Sequence, residues 1–373
     1  FYAGKVVYEI VKRLSNDGVV ARIVSSDLMC GSGIYRNDKN VVRLRTKRIV
    51  MRNTSYVLYD LRDLGLLKEQ LDVDIIHIHF LYSFLSLYIG FMKKINGIKI
   101  PVVATCHGLT SGYPSRVVQI TANLLNELSK KLIISNASAI TTVSKLEYDF
   151  LEKLIPRKKL CYIPNGVDTS FFKPDNDKRC KLRDKLGIGQ SDILVLYFAH
   201  LRVAKGVFTF LKAMDQVIKK TNRIKFIIAG SGPSASYVRE VKGKFGNRVH
   251  VFLRYVPDEF LPYLYNASDV YVLPSYVEGM PLSVMEAMAC GKPVIATGVG
   301  DVPVLVNNGV NGIVIPPGKA DQLAESIIYL AENPEVRNFM GEANVQKMAE
   351  YDWDKIAKQY HRLYLSTLLA CAR

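Results

Sequence analysis

Residues 275–297 read SYVEGMPLSVMEAMACGKPVIAT and combine a strand end, a loop, a helix and a second strand in one short stretch. The loop carries Glu278, Pro281 opens the helix, and Gly291 ends it, which is the usual placement of proline and glycine around a helix. An apolar run, Pro293–Thr297, follows at once. The stretch therefore predicts a β–α–β unit whose helix starts beside the end of a strand.

The same alternation extends through the rest of the chain. Short runs rich in β-branched residues are continuously apolar, as expected for strands that helices cover on both faces. These runs are Asp74–His79, Pro101–Thr105, Ala139–Val143, Leu160–Ile163, Ile193–Phe198, Lys225–Ala229, Val249–Leu253, Val270–Leu273, Pro293–Thr297 and Gly312–Ile315. Segments with helical spacing, such as Gly206–Lys219, separate them. The pattern predicts an α/β protein with two doubly wound, Rossmann-like domains.

The domain division follows from a break at residues 165–177 (NGVDTSFFKPDND), which has the composition of a linker. A last helix, roughly Trp353–Leu369, has no strand after it and is long enough to return to the first domain. We therefore expect an N-terminal domain, a C-terminal domain and a helix packed back on the N-terminal domain, at residues 1–168, 169–352 and 353–373. A doubly wound domain normally opens with a strand and a Gly-rich turn. For the first helix, Val6–Leu14, we expect one of two explanations: the opening strand and its turn are absent, or residues are missing between Tyr2 and Ala3.

The composition is that of a globular protein, with 373 residues of which 49% are hydrophobic, and it excludes a disordered or collagen-like chain. The six cysteines lack CxxC spacing, so we expect neither a zinc site nor a disulfide-stapled secreted fold, but a cytoplasmic protein. One window, Ile75–Met92, lacks Lys, Arg, Asp and Glu. A membrane span needs roughly 20 continuous apolar residues, so we interpret this window as a buried strand followed by an apolar helix, Leu81–Met92.

The net charge of +16 indicates anionic partners, which include nucleic acid, lipid headgroups and phosphorylated substrates. The excess is densest between Arg36 and Arg52, where the only acid is Asp38. Two interpretations stay open for this segment. It is a solvated strand-and-loop face, or it makes peripheral contact with an anionic membrane surface or an acceptor.

The stretch around Glu278 also predicts a ligand. A helix start after a Gly-containing loop offers backbone N–H groups and a positive dipole end to a phosphate. Glu278 lies just before the helix and Glu286 lies within it, where carboxylates can accept hydrogen bonds from hydroxyls on either side of that phosphate. A nucleotide sugar presents this order of groups: sugar hydroxyls, diphosphate and ribose hydroxyls. The alternative is a capped helix with a solvated glutamate face.

Glu278 and Glu286 form an E-x7-E arrangement, and the chain resembles the retaining family-4 (group 1) glycosyltransferases of the GT-B fold. The resemblance covers nearly the whole sequence. Matching segments are the first helix from Lys5, residues 72–79 (DVDIIHIH), 104–108 (ATCHG), 142–144 (TVS), 163–168 (IPNGVD), 229–233 (AGSGP) and 269–274. It implies two Rossmann-like domains that face each other across a cleft.

The resemblance also implies site residues. It places Glu278 beside the transferred sugar, Lys205 on the diphosphate, and His107 opposite the donor sugar, in catalytic roles. A fixed cation at the diphosphate would stabilise the charge that develops on the leaving group. Glu286 would hold the ribose hydroxyls, and the 279–282 backbone would meet the sugar and the diphosphate. The full donor-binding set is His200, Arg202, Gly279, Met280, Pro281, Leu282 and Glu286.

Other interpretations of single residues stay open. Lys205 could be a solvated lysine at a helix start, and His107 a loop histidine bonded to a carbonyl. His77 and His79 lie inside an apolar strand, where ordinary buried or strand-end roles explain them. Arg254 stands where a glycine is common in the family and either contacts the nucleotide base or faces solvent.

The diphosphate clamp departs from the family pattern. The family usually has an arginine five residues before the lysine, and here that position is His200, while Arg202 lies two residues further on. No cluster of Asp, His or Cys has metal-ligand spacing, and we expect Asp72 and Asp74 to belong to a strand start. The second cation of the clamp is therefore either His200 or Arg202.

We expect an enzyme that moves a hexose-type sugar from a nucleoside-diphosphate sugar, such as a UDP- or GDP-sugar, to a hydroxyl of a glycan, lipid or small molecule. The resemblance implies retention by front-face attack. Because no residues have metal-ligand spacing, we expect neither a metal nor another cofactor. An α-glucan synthase of the glycogen or starch type is the enzyme alternative. A basic nucleic-acid-binding protein is a distant alternative that rests on charge alone, because no nucleic-acid-binding motif accompanies the charge.

Overall fold

The chain forms two compact units. The first comprises Phe1–Asn165 with Trp353–Arg373, and the second comprises Gly166–Asp352. The structure is a computed structural model, and it describes residues 2–21, 23–26, 41–44, 46–51, 54–59, 72–79, 84–95, 97–107, 127–128 and 130–371.

The first unit is built on a parallel sheet with strand order β5-β6-β7-β8. Its strands are β5 (Ile76–His79), β6 (Val102–Cys106), β7 (Ala139–Thr142) and β8 (Leu160–Tyr162). One face carries apolar side chains such as Ile78 and Ala104, which pack with the helices between the strands into a core. These helices are α2 (Phe84–Lys94), the helical residues 130–136 and α3 (Lys145–Leu151).

Two helices from opposite ends of the sequence pack against each other in the first unit: α1 (Tyr2–Asn16) and α12 (Trp353–Cys371). Arg13 of α1 pairs with Asp354 of α12 at 2.9 Å. Val6, Ile10 and Leu14 recur along one side of α1 and are buried there. That spacing is typical of an amphipathic helix with one buried face.

Four further strands of the first unit lie outside the apolar runs from which strands were predicted. They are β1 (Ile23–Ser26), β2 (Val41–Leu44), β3 (Thr46–Met51) and β4 (Thr54–Tyr59). β1 and β2 pair in parallel, whereas β3 and β4 form an antiparallel pair. This stretch therefore adds one antiparallel pair to the parallel strands of the doubly wound pattern.

The second unit has a six-stranded parallel sheet of order β11-β10-β9-β12-β13-β14. Its strands are β9 (Ile193–Phe198), β10 (Ile224–Ala229), β11 (Val249–Phe252), β12 (Val270–Leu273), β13 (Val294–Thr297) and β14 (Gly312–Ile315). The sheet grows outward in both directions from β9 and β12. The crevice at the carboxyl ends of these two strands is the topological switch point, where open α/β sheets bind ligands.

Helices connect the strands of the second unit: α4 (Asn176–Leu186), α5 (Val207–Lys220), α6 (Ala235–Phe245), α7 (Leu261–Ala267), α8 (Leu282–Ala289), α9 (Val302–Leu305), α10 (Ala320–Glu332) and α11 (Pro334–Ala349). All eight residues of α8 are buried, including Ser283 and Glu286 among its otherwise apolar side chains. Because α8 is enclosed, its first turn is held in a fixed place beside the end of β12.

Candidate active site

Two loops meet at the switch point of the second unit. Residues 199–206 follow β9 and residues 274–281 follow β12. The Tyr276 N–H donates to the Ala204 carbonyl at 2.9 Å and so joins them. Gly206 has φ +69°, and a Cβ at this glycine would lie 1.8 Å from the Pro274 carbonyl oxygen. Only glycine allows this approach, so the two loops are packed backbone to backbone.

Lys205 and Glu278 are brought into contact by these loops. The Lys205 ammonium donates to both carboxylate oxygens of Glu278, at 2.6 and 2.7 Å, and the Ser275 hydroxyl donates to the same carboxylate at 2.7 Å. The two charged side chains are 19% and 6% exposed. Neither the solvated lysine nor a solvated Glu278 is found. The site therefore has a cation held against an anion at the mouth of the crevice.

The turn after Glu278 leads into the first turn of α8. A Cβ on Gly279 would meet nothing within 4 Å, so the space beside its backbone is open. The Asp301 N–H donates to the Gly279 carbonyl at 2.8 Å and fixes the turn from behind. Met280, Pro281 and Leu282 are buried. Their contribution to a ligand is therefore limited to the backbone, and the first N–H groups of a helix lack intrahelical partners.

Glu286 lies deeper, inside α8, and is 3% exposed. The Tyr265 hydroxyl donates to its Oε2 at 2.7 Å. The ring of Tyr265 is fully buried and contacts Phe172, Phe198 and Tyr271. The alternative of a solvated glutamate face is wrong for Glu286. The sequence analysis missed both Tyr265 and Ser275, although a helix that is apolar apart from Ser283 and Glu286 signals that its one carboxylate is buried.

His200 and Arg202 lie on the loop after β9 and are exposed. The Arg202 N–H donates to the His200 carbonyl at 2.8 Å, and the Lys205 N–H donates to the Arg202 carbonyl at 3.0 Å. Surrounding protein atoms nevertheless remove part of the water around the His200 ring and lower its pKa below 6.5. The nearby charges of Arg202 and Lys205 lower this pKa further. Both candidates for the second cation are thus on the loop that carries Lys205. Arg254 is exposed on the loop after β11.

His107 belongs to the first unit and directly follows β6. Its Nε2 lies 2.9 Å from Nδ1 of His79, and the two rings are stacked. Burial lowers the pKa of His107 to about 4. His77 contacts Thr105 and Tyr364. All three histidines are partly buried, and their lowered pKa values keep them neutral near pH 7. This agrees with the buried role expected for His77 and His79.

Two family models match the chain. "Glycosyltransferase Family 4" matches residues 3–171, and "Glycosyl transferases group 1" matches residues 178–347. The chain is a group 1 glycosyltransferase. Together the two models span both units of this glycosyltransferase, and the predicted family is confirmed.

Curated relatives share about a quarter of their residues with this glycosyltransferase. An N-acetyl-alpha-D-glucosaminyl L-malate synthase of Bacillus anthracis is 25% identical, over 98% of this chain and 94% of its own. A D-inositol 3-phosphate glycosyltransferase of Corynebacterium aurimucosum is 27% identical, over 80% of this chain and 73% of its own. The alignments therefore extend well beyond the E-x7-E segment.

Solved structures confirm the GT-B fold. Sucrose-phosphate synthase of Thermosynechococcus elongatus has a TM-score of 0.74 at 22% identity, with 98% of this chain and 93% of that chain covered. HepE of Anabaena in complex with UDP-glucose gives 0.69 at 21%, covering 87% and 86%. The catalytic domain of starch synthase IV of Arabidopsis thaliana, bound to ADP and acarbose, gives 0.72 at 19%, covering 98% and 96%.

Two structural findings bear on metals and membranes. Among the described residues, no group of three His, Cys, Asp or Glu side chains could hold a metal ion. No helix in the same part of the chain is long and apolar enough to cross a bilayer. The Arg36–Arg52 segment proposed for membrane contact lies outside the described residues, apart from the backbone of β2 and β3.

Proposed function

We propose that this glycosyltransferase moves a hexose-type sugar from a nucleoside-diphosphate sugar to an acceptor hydroxyl with retention at the anomeric carbon. The observation that carries the proposal is the contact of Lys205 with Glu278 at the switch point, beside the first turn of α8. A cation and the backbone N–H groups of a helix start at one crevice suit a diphosphate. The structures of HepE with UDP-glucose and of starch synthase IV with ADP support a nucleotide donor.

The leaving group explains why a cation is needed. When the bond between the anomeric carbon and the diphosphate breaks, negative charge grows on the phosphate oxygen. Lys205 and the N–H groups of the first α8 turn would stabilise that charge more strongly in the transition state than in the ground state. Glu278 has a complementary role, because its carboxylate opposes the positive charge that develops on the sugar ring. The Lys205–Glu278 pair keeps both charges in position before the donor binds.

The acceptor hydroxyl completes the reaction. In front-face attack its oxygen forms a bond to the anomeric carbon on the side from which the diphosphate leaves, and its proton passes to the departing phosphate oxygen. No side chain is needed as a base. We propose that Glu286 accepts hydrogen bonds from the ribose hydroxyls and that His107 contacts the donor sugar. We also propose that the reaction needs no metal, so that chelation by EDTA leaves the activity unchanged.

A ligand panel tests the proposal. UDP, GDP, ADP and their glucose or mannose conjugates are added separately, and the melting temperature is followed. A ligand that binds only the folded protein raises its stability, so we expect one nucleotide to raise the melting temperature of the wild type and to lose this effect in Lys205→Ala. Anomeric NMR signals of the product then test retention. Elongation of a maltooligosaccharide from ADP-glucose would instead show the α-glucan synthase activity.

A further inference from the structure

The sheet of the first unit carries a line of polar side chains on the face opposite its apolar core. His77 and His79 are two residues apart on β5 and therefore point to the same face. Thr105 of β6 is in register with His79, and Thr141 of β7 is in register with Thr105. Both threonines are fully buried. Buried polar groups are costly unless they are bonded, so these side chains require partners.

His77 is held by two side chains. Its Nδ1 lies 2.5 Å from the Tyr364 hydroxyl of α12, and its Nε2 lies 2.6 Å from the Thr105 hydroxyl, which in turn lies 2.5 Å from that of Thr141. Both ring nitrogens of His77 are thus bonded. The ring centroid of His77 is 4.1 Å from that of His79. The two bonds therefore hold the His77 ring in one orientation, and the ring of His79 packs against it.

His79 in turn reaches His107, through the 2.9 Å contact between its Nδ1 and Nε2 of His107. Burial lowers the pKa of both rings, and a positive charge on His77 or His107 would lower the pKa of His79 further. Two neutral rings share one proton in such a bond. If His107 donates from Nε2, its Nδ1 is an acceptor, and if His107 accepts, its Nδ1 carries the proton. The partner nitrogen of His79 thus sets the tautomer of His107.

We propose that His79 is a positioning residue for His107. Its Nδ1 fixes the ring orientation and tautomer of His107, while His77, anchored by Tyr364, holds His79 in place. The consequence for catalysis rests on the role proposed above for His107. The C-terminal helix α12 then contributes to catalysis indirectly, because its Tyr364 hydroxyl anchors His77, which holds His79 in place beside His107.

Histidine-selective ¹⁵N NMR tests this proposal without a known acceptor, because the whole chain has only six histidines. His79→Leu removes the bond, and His79→Asn restores a polar group near the position of Nδ1. We expect the ¹⁵N shifts of His107 to change in His79→Leu and to return towards the wild-type values in His79→Asn. Ile78→Ala is the matched control, since Ile78 lies between the two histidines on the apolar face and its loss destabilises the same strand.

The rate at which the enzyme consumes its sugar donor gives a second measurement, with UDP-glucose as the first donor tried. We expect kcat in His79→Leu to fall about ten- to a hundredfold, as when a group that orients a functional histidine is removed, with the Kd for UDP unchanged. Tyr364→Phe should show a smaller loss in the same direction. If His79→Leu and Ile78→Ala give the same His107 shifts, the proposal is overturned. A changed tautomer with full turnover would confirm the positioning and contradict the role of His107.

Discussion

Replacement of Glu286 separates its structural contribution from its binding contribution. Glu286→Ala removes the carboxylate that accepts a hydrogen bond from the fully buried Tyr265 hydroxyl, and loss of this bond costs about 1–3 kcal/mol of unfolding free energy. In a unit of this size each kcal/mol lowers the melting temperature by about 2–4 °C. Glu286→Gln keeps an oxygen that accepts the Tyr265 hydrogen bond, so its melting temperature should stay near that of the wild type.

Donor affinity should respond to both variants. Loss of a hydrogen bond to a charged group is worth about 1.5–3 kcal/mol, which weakens the Kd for the nucleotide about 10- to 150-fold in Glu286→Ala. Neutral hydrogen bonds are about half as strong as charged ones, so Glu286→Gln should lose roughly tenfold or less. Isothermal titration with the nucleotide selected by the ligand panel measures both values.

Glu342→Ala is the matched control, because Glu342 is an exposed glutamate of the same unit. Its melting temperature and Kd should both equal those of the wild type. Glu286→Gln that binds the nucleotide as tightly as the wild type would refute the assignment of Glu286 to the ribose hydroxyls. The stability loss in Glu286→Ala would then reflect Tyr265 alone.

Three further predictions concern the diphosphate clamp, Gly206 in the loop after β9, and the basic segment Arg36–Arg52. Lys205→Ala should lower kcat by several orders of magnitude and His200→Ala by less. Since a bound diphosphate raises the lowered pKa of His200, nucleotide affinity should be highest at acid pH and fall as the pH rises through the pKa of the complex. His200→Arg should remove that pH dependence. If His200→Ala leaves kcat unchanged and Arg202→Ala lowers it, the second cation of the clamp is Arg202. Gly206→Ala should destabilise the second unit by more than the roughly 1–3 kcal/mol of backbone strain alone, because its Cβ overlaps Pro274; an unchanged denaturant midpoint would contradict this. Anionic vesicles should co-sediment the protein at low salt through Arg36–Arg52, with about 1 kcal/mol per cation near the surface, whereas equal binding to neutral vesicles would contradict an electrostatic contact.

The sequence predicted the strands that are continuously apolar. Ile193–Phe198, Val270–Leu273 and Gly312–Ile315 have the predicted bounds, and other strands differ by one or two residues. The hairpin of β3 and β4 was missed because Lys47 and Arg48 divide β3 and because β4 has only a short apolar run after Thr54 and Ser55. Local pattern therefore determines the buried parallel strands, whereas the pairing of β1 with β2 and of β3 with β4 joins segments that the pattern does not connect.

Lys205 and Glu278 were predicted as site residues, but their contact with each other and their partners Ser275 and Tyr265 were not. Motif resemblance identified Lys205 and Glu278 separately, but they are 73 positions apart and meet only because β9 and β12 are neighbours at the switch point. The bond of His77 to Tyr364 joins positions 287 residues apart. Such pairings depend on the chain topology, so a scan along the sequence cannot reveal them.

A crystal structure with the nucleotide that most raises the melting temperature tests the central claim directly. We expect the diphosphate within hydrogen-bond distance of Lys205 Nζ and of the backbone N–H groups at the start of α8, with the ribose hydroxyls on Glu286. A nucleotide bound elsewhere, with the Lys205–Glu278 pair unchanged and the α8 start uncontacted, would contradict it.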